Sequence, residues 1–393
     1  MNRQALATVF VAVSMVLAGC GGFAGGPSST ATPETPSTTS EPSATPTTTP
    51  DSRVSVYGDL PVNATLVWER VEAMFGETYE PPTVTVLDGR PPGRVSSFPA
   101  QLGLGEGRIS SDGGVNGRYV FRNDRVQVIP RNGSPSEIER ILAHEYVHAI
   151  QYRTDFVDRA RESGIWRVMT EGSAVYVEDV YTRAFLGFST IERRCEGYRT
   201  GTPYERYAAQ PYCFGGQYFA ETLDSPTELL SPNTTLPTTT EQVLHPGTAE
   251  GPTNLSVVDG TPSGWYTPAS MDRQGELFVR TVLGVELSET RASEAAEGWG
   301  NDRLLTVTGD MEGYVWVLRW DTVDDADEFE TAFVDYLDAR GNETADGWRV
   351  DDHRYRLTTV DDRTVAVVTG NGTFVDAVSV GGEGGNVTVS SES

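Results

Sequence analysis

The pentapeptide His144-Glu145-Tyr146-Val147-His148 constrains this chain more than any other stretch of it. On a helix, residues four apart lie one above the other, so both imidazoles face one point and can bind a single zinc ion. The intervening glutamate falls beside that point, where a carboxylate can take a proton from a metal-bound water. The chain has four histidines, and two of them are in this motif. Chance yields the pattern in well under about one per cent of chains this long. The flanks argue against a surface helix that merely carries two satisfied histidines. Arg125-Val126-Gln127-Val128-Ile129-Pro130 alternates like an edge strand, and Asn132, Gly133 and Pro135 mark a turn. Ser134 with Glu137, and Ser136 with Glu139, each fit a capping box, so a helix is expected to start near Pro135. Ile138, Ile141 and Leu142 follow at helical spacing and give that helix a buried side.

A catalytic zinc takes three protein ligands and leaves a fourth position open. Glu162, Glu171, Glu178 and Asp179 all follow His148 within reach, and spacing alone leaves the third ligand open. The run Trp166-Arg167-Val168-Met169-Thr170-Glu171-Gly172-Ser173-Ala174-Val175-Tyr176-Val177-Glu178 resembles the "W…EG-x-A-x-Y-x-E" segment of gluzincins, the thermolysin-like and aminopeptidase-like zinc metallopeptidases. The resemblance spans residues 134–180 and implies one Zn2+ ion held by His144, His148 and Glu171, with Glu145 as general base. It also implies a peptide or protein substrate. Glu178, two turns beyond Glu171, falls outside the ligand set on this reading. One departure matters. Val175 stands where thermolysin has an aspartate that orients a zinc histidine, so another group must fix that ring's tautomer.

Gluzincins often place a His or Tyr opposite the metal to stabilise the oxyanion, and the resemblance offers His245 for that role. The competing reading is a loop histidine at a helix end. The string Thr239-Thr240-Glu241-Gln242-Val243-Leu244-His245-Pro246 and the later Gly298-Trp299-Gly300-Asn301-Asp302-Arg303 both resemble segments of haloarchaeal surface proteins with the same motif. The remaining histidine, His353, is expected in an exposed hairpin.

The formal net charge is −26, and the sequence has no lysine, so all 30 basic residues are arginine. Such a surface suits a protein that must stay hydrated in molar salt, as in extremely halophilic archaea. At that ionic strength the Debye length is about 3 Å or less, so the charge cannot steer a distant partner. Its sign excludes nucleic-acid binding.

An apolar run from Ala5 to Ala18 follows Arg3, too short for a membrane span but right for a signal-peptide core. Leu17-Ala18-Gly19-Cys20 resembles a lipobox, which implies lipidation at Cys20, a membrane anchor and an extracellular location. Residues 21–52 are almost all Gly, Ser, Thr, Pro and Ala and are expected to form an extended stalk. Asn63, Asn132, Asn233, Asn254, Asn342, Asn371 and Asn386 begin Asn-x-Ser/Thr sequons, seven of the eleven asparagines, where random placement gives about two. Cys195 and Cys213 are expected to pair in an oxidising compartment, closing a loop of about 19 residues for roughly 3 kcal/mol.

The fold class expected is α+β, with a signal peptide at 1–20, the stalk at 21–52, a zincin-like catalytic domain at 53–310 and a smaller C-terminal α+β unit at 311–393. The catalytic domain should hold a small mixed sheet ahead of two zinc-bearing helices, the second from Arg167 to Leu186, with residues 189–218 as a disulfide-pinned cover. The tail from Gly381 is Gly/Ser-rich and expected to fray. The function this supports is a cell-surface zinc peptidase. The alternative is a zincin-fold surface protein that binds without catalysis.

Overall fold

The computed structural model describes residues 52–89, 97–105, 115–262, 265–266, 272–309 and 312–391. The signal peptide, Cys20 and all of the stalk except Ser52 lie outside the described residues. The fold is mixed α+β.

The first half is built on a four-stranded sheet of β1 (Val56–Tyr57), β2 (Thr83–Val86), β3 (Asn116–Val120) and β4 (Arg125–Ile129). Helix α1 (Ala64–Phe75) lies between the first two strands, and a helical turn, α2 (Ser97–Pro99), precedes β3. The strand order is β1-β2-β4-β3, parallel except for β3, which runs antiparallel to β4. The strand expected at the edge, β4, is therefore internal, and β3 is the edge. Alternation reports one buried face, here Val126 and Val128, and carries no information on whether a strand's hydrogen-bonding flanks are free.

Helix α3 (Pro135–Arg153) carries the His-Glu-x-x-His motif. Of the two possible capping boxes, Ser134 with Glu137 forms, with Pro135 in the first turn. A short helix, α4 (Phe156–Glu162), precedes α5 (Trp166–Phe185), within a residue of its expected bounds. One core joins these elements. Val67, Trp68 and Val71 of α1 meet Leu142, Tyr146 and Ile150 of α3, Val84 and Val126 of the sheet, and Met169 and Tyr181 of α5.

Residues 189–218 fold into α6 (Thr190–Thr200) and most of α7 (Pro203–Thr222), joined by the Cys195–Cys213 disulfide. The glycines of α7 serve close helix packing. A Cβ at Gly215 would stand 2.7 Å from the Val168 carbonyl oxygen and 2.8 Å from Gly172 Cα, so the α5 and α7 backbones touch. Two short helices, α8 (Pro226–Leu229) and α9 (Thr240–Leu244), complete this half.

The second half begins with β5 (Ser256–Gly260) and β6 (Trp265–Tyr266), followed by α10 (Glu276–Leu283) and α11 (Glu289–Glu294). Next come β7 (Trp299–Gly309), β8 (Gly313–Trp320), α12 (Val323–Arg340), β9 (Asn342–Thr344), β10 (Gly347–Val350), β11 (His353–Asp361) and β12 (Thr364–Gly370). Helix α13 (Gly372–Ala377), β13 (Val378–Glu383) and β14 (Asn386–Ser391) close the chain. A seven-stranded sheet, ordered β6-β7-β8-β12-β11-β10-β9, is antiparallel throughout. Every residue of β8 is buried because both faces are covered. Tyr314, Trp316, Leu318 and Trp320 pack under α10 and α12, whereas Val315 and Val317 pack under α13, β13 and β14.

Two expectations are corrected here. The division at 310/311 falls between the paired strands β7 and β8, and β5 pairs with β14, so the second unit already includes residue 256. Phe98, Leu102 and Leu104 from the first half also enter its core. The tail from Gly381 is paired, not frayed. β13 and β14 form a hairpin through Gly384 and Gly385, both at positive φ, and Val387 and Val389 are buried. The glycines read as fraying are turn residues.

Candidate metal centre

Helices α3 and α5 pack side by side and bring His144, His148 and Glu171 together. His144 Nε2 lies 3.1 Å from His148 Nε2 and 3.3 Å from Glu171 Oε2, and His148 Nε2 lies 3.4 Å from the same oxygen. A tetrahedral ion with bonds of about 2.0–2.2 Å holds its ligand atoms about 3.3–3.5 Å apart. The two distances to Glu171 fall in that range and the distance between the two nitrogens is slightly shorter, so the three atoms are close to the spacing for one shared ion.

The protonation of both rings follows from their outer partners. Gln151 Nε2 donates to the Thr170 carbonyl at 3.0 Å, an acceptor only, and to Ser173 Oγ at 2.8 Å. That fixes the amide, so Gln151 Oε1 faces His148 Nδ1 at 2.8 Å and must accept its proton. Glu178 Oε1 accepts from Arg140 Nη1 at 2.6 Å, and its Oε2 accepts from His144 Nδ1 at 2.9 Å. With both Nδ1 atoms donating, each ring in its neutral form presents a bare lone pair at Nε2. Two such lone pairs 3.1 Å apart, with a carboxylate beside them, make a set that can hold a cation.

The electrostatics agree. Burial disfavours an imidazolium, yet Glu171 and Glu178 outweigh it at His144 and raise that ring's pKa well above the usual range. Burial pushes the Glu171 carboxyl up, but the two histidines hold it well below the ordinary carboxylate value. Glu178 is likewise opposed by burial and held down to about 2, chiefly by Arg140 and His144. The pocket stabilises positive charge at its centre.

Glu145 differs from all of these. It is buried, and no side chain among the described residues hydrogen-bonds either carboxylate oxygen. Burial raises its pKa above the ordinary carboxylate value, with His148, His144 and the Tyr119 backbone amide acting in the other direction. Edge strand β3 passes over it, and a Cβ on Gly117 would come within 2.9 Å of Glu145 Oε1. A buried carboxylate with no side-chain partner, beside the trio and under edge strand β3, is suited to moving a proton.

Sequence reasoning placed Glu178 beyond the ligand set and left the orienting group unnamed. The structure gives Glu178 the role of holding His144 and gives Gln151 the matching role for His148. The signal was present as helical spacing. Glu178 lies seven residues from Glu171 on one face, and Gln151 lies three from His148. His245 is not brought to the trio. It sits at the C-cap of α9 with Nε2 on Glu276 Oε1 at 3.1 Å. Tyr212 of α7 is the aromatic group set against the trio, its ring centroid 6.1 Å from that of His144. His353 is half-buried at the start of β11.

Residues 266–379 match the model of a domain of unknown function, DUF8575, which covers most of the seven-stranded sheet and none of the metal centre. Neither the curated proteins nor the solved structures give a match.

Proposed function

We propose that this chain is a cell-surface zinc-dependent peptidase of the gluzincin kind, anchored through Cys20 and adapted to high salt. The observation that carries the reading is the pairing of a trio whose two Nε2 lone pairs converge with a buried Glu145 beside it that has no side-chain partner. His144, His148 and Glu171 would hold the ion. When bound, zinc supplies Lewis-acid polarisation of a carbonyl and lowers the pKa of its water towards about 7.

The chain's own groups do the rest. Glu145 accepts the proton of the attacking water and returns it to the leaving amine. Glu178 and Gln151 keep both Nδ1 protons in place, so the Nε2 atoms stay available. The outer edge of β3 offers backbone donors and acceptors to an extended peptide, which favours a peptide substrate over a compact small molecule. A surface protein that only binds would have no use for a carboxylate with no side-chain partner at Glu145, whose burial costs stability.

The test compares the zinc-loaded full chain with its Glu145→Gln variant on a broad peptide library in molar salt. The parent should cleave, and the variant should lose at least about 100-fold in kcat while binding zinc equally well. Zinc bound tightly by a parent that cleaves nothing would hand the role to the binding-only alternative.

A further inference from the structure

Two phenylalanines at the surface of this chain carry a guanidinium on their rings. Arg70 lies 4.2 Å from the ring centre of Phe185, and Arg193 lies 3.5 Å from that of Phe188. Phe121 is left more open. Its side chain is 38% exposed, and Arg122 stands 6.0 Å from its ring centre. Phe121 stacks instead on Tyr152, with ring centroids 5.2 Å apart and planes 7° from parallel. Tyr152 in turn meets the buried ring of Tyr119 at 5.6 Å. The three rings form one continuous apolar surface that ends at the exposed Phe121.

That surface adjoins the metal centre. Tyr152 follows His148 by four residues on α3, so His144, His148 and Tyr152 share one helix face. Burial raises the pKa of the Tyr152 hydroxyl, Arg161 opposes the rise and the Glu171 carboxylate adds to it, so this ring lies within the field of the trio. Phe121 directly follows β3, in a 3-10 turn (Phe121–Asn123). Gly117 of the same strand stands over Glu145, so the rings close the end of the edge that an extended peptide would follow. The turn is fixed from below. The Tyr119 hydroxyl donates to Asp124 Oδ1 at 2.8 Å, and Arg153 Nη2 donates to both Asp124 oxygens at 2.7 Å. A platform held in this way loses little freedom when a ligand settles on it.

We propose that Phe121 and Tyr152 form a specificity subsite for an aromatic side chain of the peptide substrate, about two residues from the scissile bond. The subsite rests on the peptidase reading and names the substrate class for the same cleft. One helix turn of about 5.4 Å separates Tyr152 from His148, and an extended peptide advances about 3.3 Å per residue, which sets the distance of about two residues. High salt favours this kind of recognition. At a Debye length of about 3 Å a charged subsite discriminates poorly, whereas ring stacking is not screened.

The test uses peptides of Ala, Gly and Ser that carry a single Phe, each beside a twin with Ala in its place. With the zinc-loaded full chain in molar KCl, cleavage should fall about two residues from the Phe. The kcat/KM of the Phe peptide should exceed that of its twin at least about tenfold. Phe121→Ala should bring that ratio close to one, Phe121→Trp should keep it, and Phe185→Ala should leave it as in the parent. Fluorescence anisotropy of the same peptides on the zinc-loaded Glu145→Gln chain, with and without Phe121→Ala, reads the preference without cleavage. A parent that cleaves nothing, while Glu145→Gln prefers the Phe peptide and loses that preference with Phe121→Ala, overturns the peptidase reading and keeps the aromatic subsite. Equal affinity for the two peptides overturns the subsite. So does a preference that survives Phe121→Ala or one that disappears with Phe185→Ala.

Discussion

Gln151 settles which nitrogen of His148 is free: with its amide nitrogen held by the Thr170 carbonyl, its oxygen accepts from His148 Nδ1 at 2.8 Å. Gln151→Leu keeps a side chain of similar size and removes all three of its hydrogen bonds, to His148, Thr170 and Ser173. Partners of this kind are worth about 10–100-fold in metal affinity. The variant should therefore bind zinc about 10–100-fold more weakly in a chelator competition. Wild-type affinity in the variant would mean that helix packing alone orients the ring.

The α5–α7 contact admits no side chain at Gly215, where a Cβ would sit 2.7 Å from the Val168 carbonyl oxygen. Backbone, not a flexible side-chain end, stands in the way, so Gly215→Ala must separate the helices. Overpacking of this kind costs about 1–3 kcal/mol and should lower Tm by about 2–6 °C. Gly197 in α6 is the control, with nothing within 4 Å of its Cβ. Gly197→Ala should raise stability by about 0.5–1 kcal/mol through the unfolded chain. Paired thermal melts decide the matter, and equal effects at the two positions would contradict the packing account.

Asp361 ties the turn after β11 to the C-terminal hairpin, accepting from the Arg363 and Gly385 amides and from Arg319. Burial pushes its carboxyl up, but these donors and Thr364 outweigh that and hold it below its ordinary value. A carboxyl depressed in the folded state contributes stability that is fully present above its unfolded pKa of about 3.9. That contribution is lost as pH falls through the lower folded value. Asp361→Asn should be less stable than the parent at pH 5–7, and the gap should close as pH falls below about 4. Denaturation midpoints measured from pH 7 to pH 2 test this, and a gap independent of pH would assign the loss to packing.

The parts of this molecule that local pattern controls were legible in the sequence. Ser134 with Glu137 and the apolar spacing of Ile138, Ile141 and Leu142 placed the start of α3 at Pro135, because capping and periodicity act within a few positions. The trio followed from the motif and from the gluzincin resemblance at Glu171. Sheet edges were not legible, because β4 and β3 differ in which neighbours they find, not in pattern. The tail failed for the same reason. Gly384 and Gly385 read equally well as slack or as a hairpin turn until β5, more than a hundred residues earlier, supplies the pairing strand. His245 was offered by the gluzincin resemblance, and distance along the chain carries nothing about which acid it will meet.

Gly117 is where the edge strand and Glu145 meet, and it offers the sharpest separation of binding from chemistry. A Cβ there would stand 2.9 Å from both Cγ and Oε1 of Glu145 and 2.5 Å from Ile141 Cγ2. Gly117→Ala must therefore push the Ile141 or Glu145 side chain of α3 or lift β3, while none of the atoms nearest the new methyl belongs to His144, His148 or Glu171. Misplacement of a reacting group by about 1 Å can cost on the order of 100-fold in rate. On the peptidase reading, Gly117→Ala should lose at least about tenfold in kcat with zinc affinity within about twofold of the parent. Steady-state kinetics on a peptide substrate and a parallel zinc titration give both numbers. Unchanged kcat would show that Glu145 does not need the space β3 leaves it, and a matching loss of zinc affinity would move the effect to the trio.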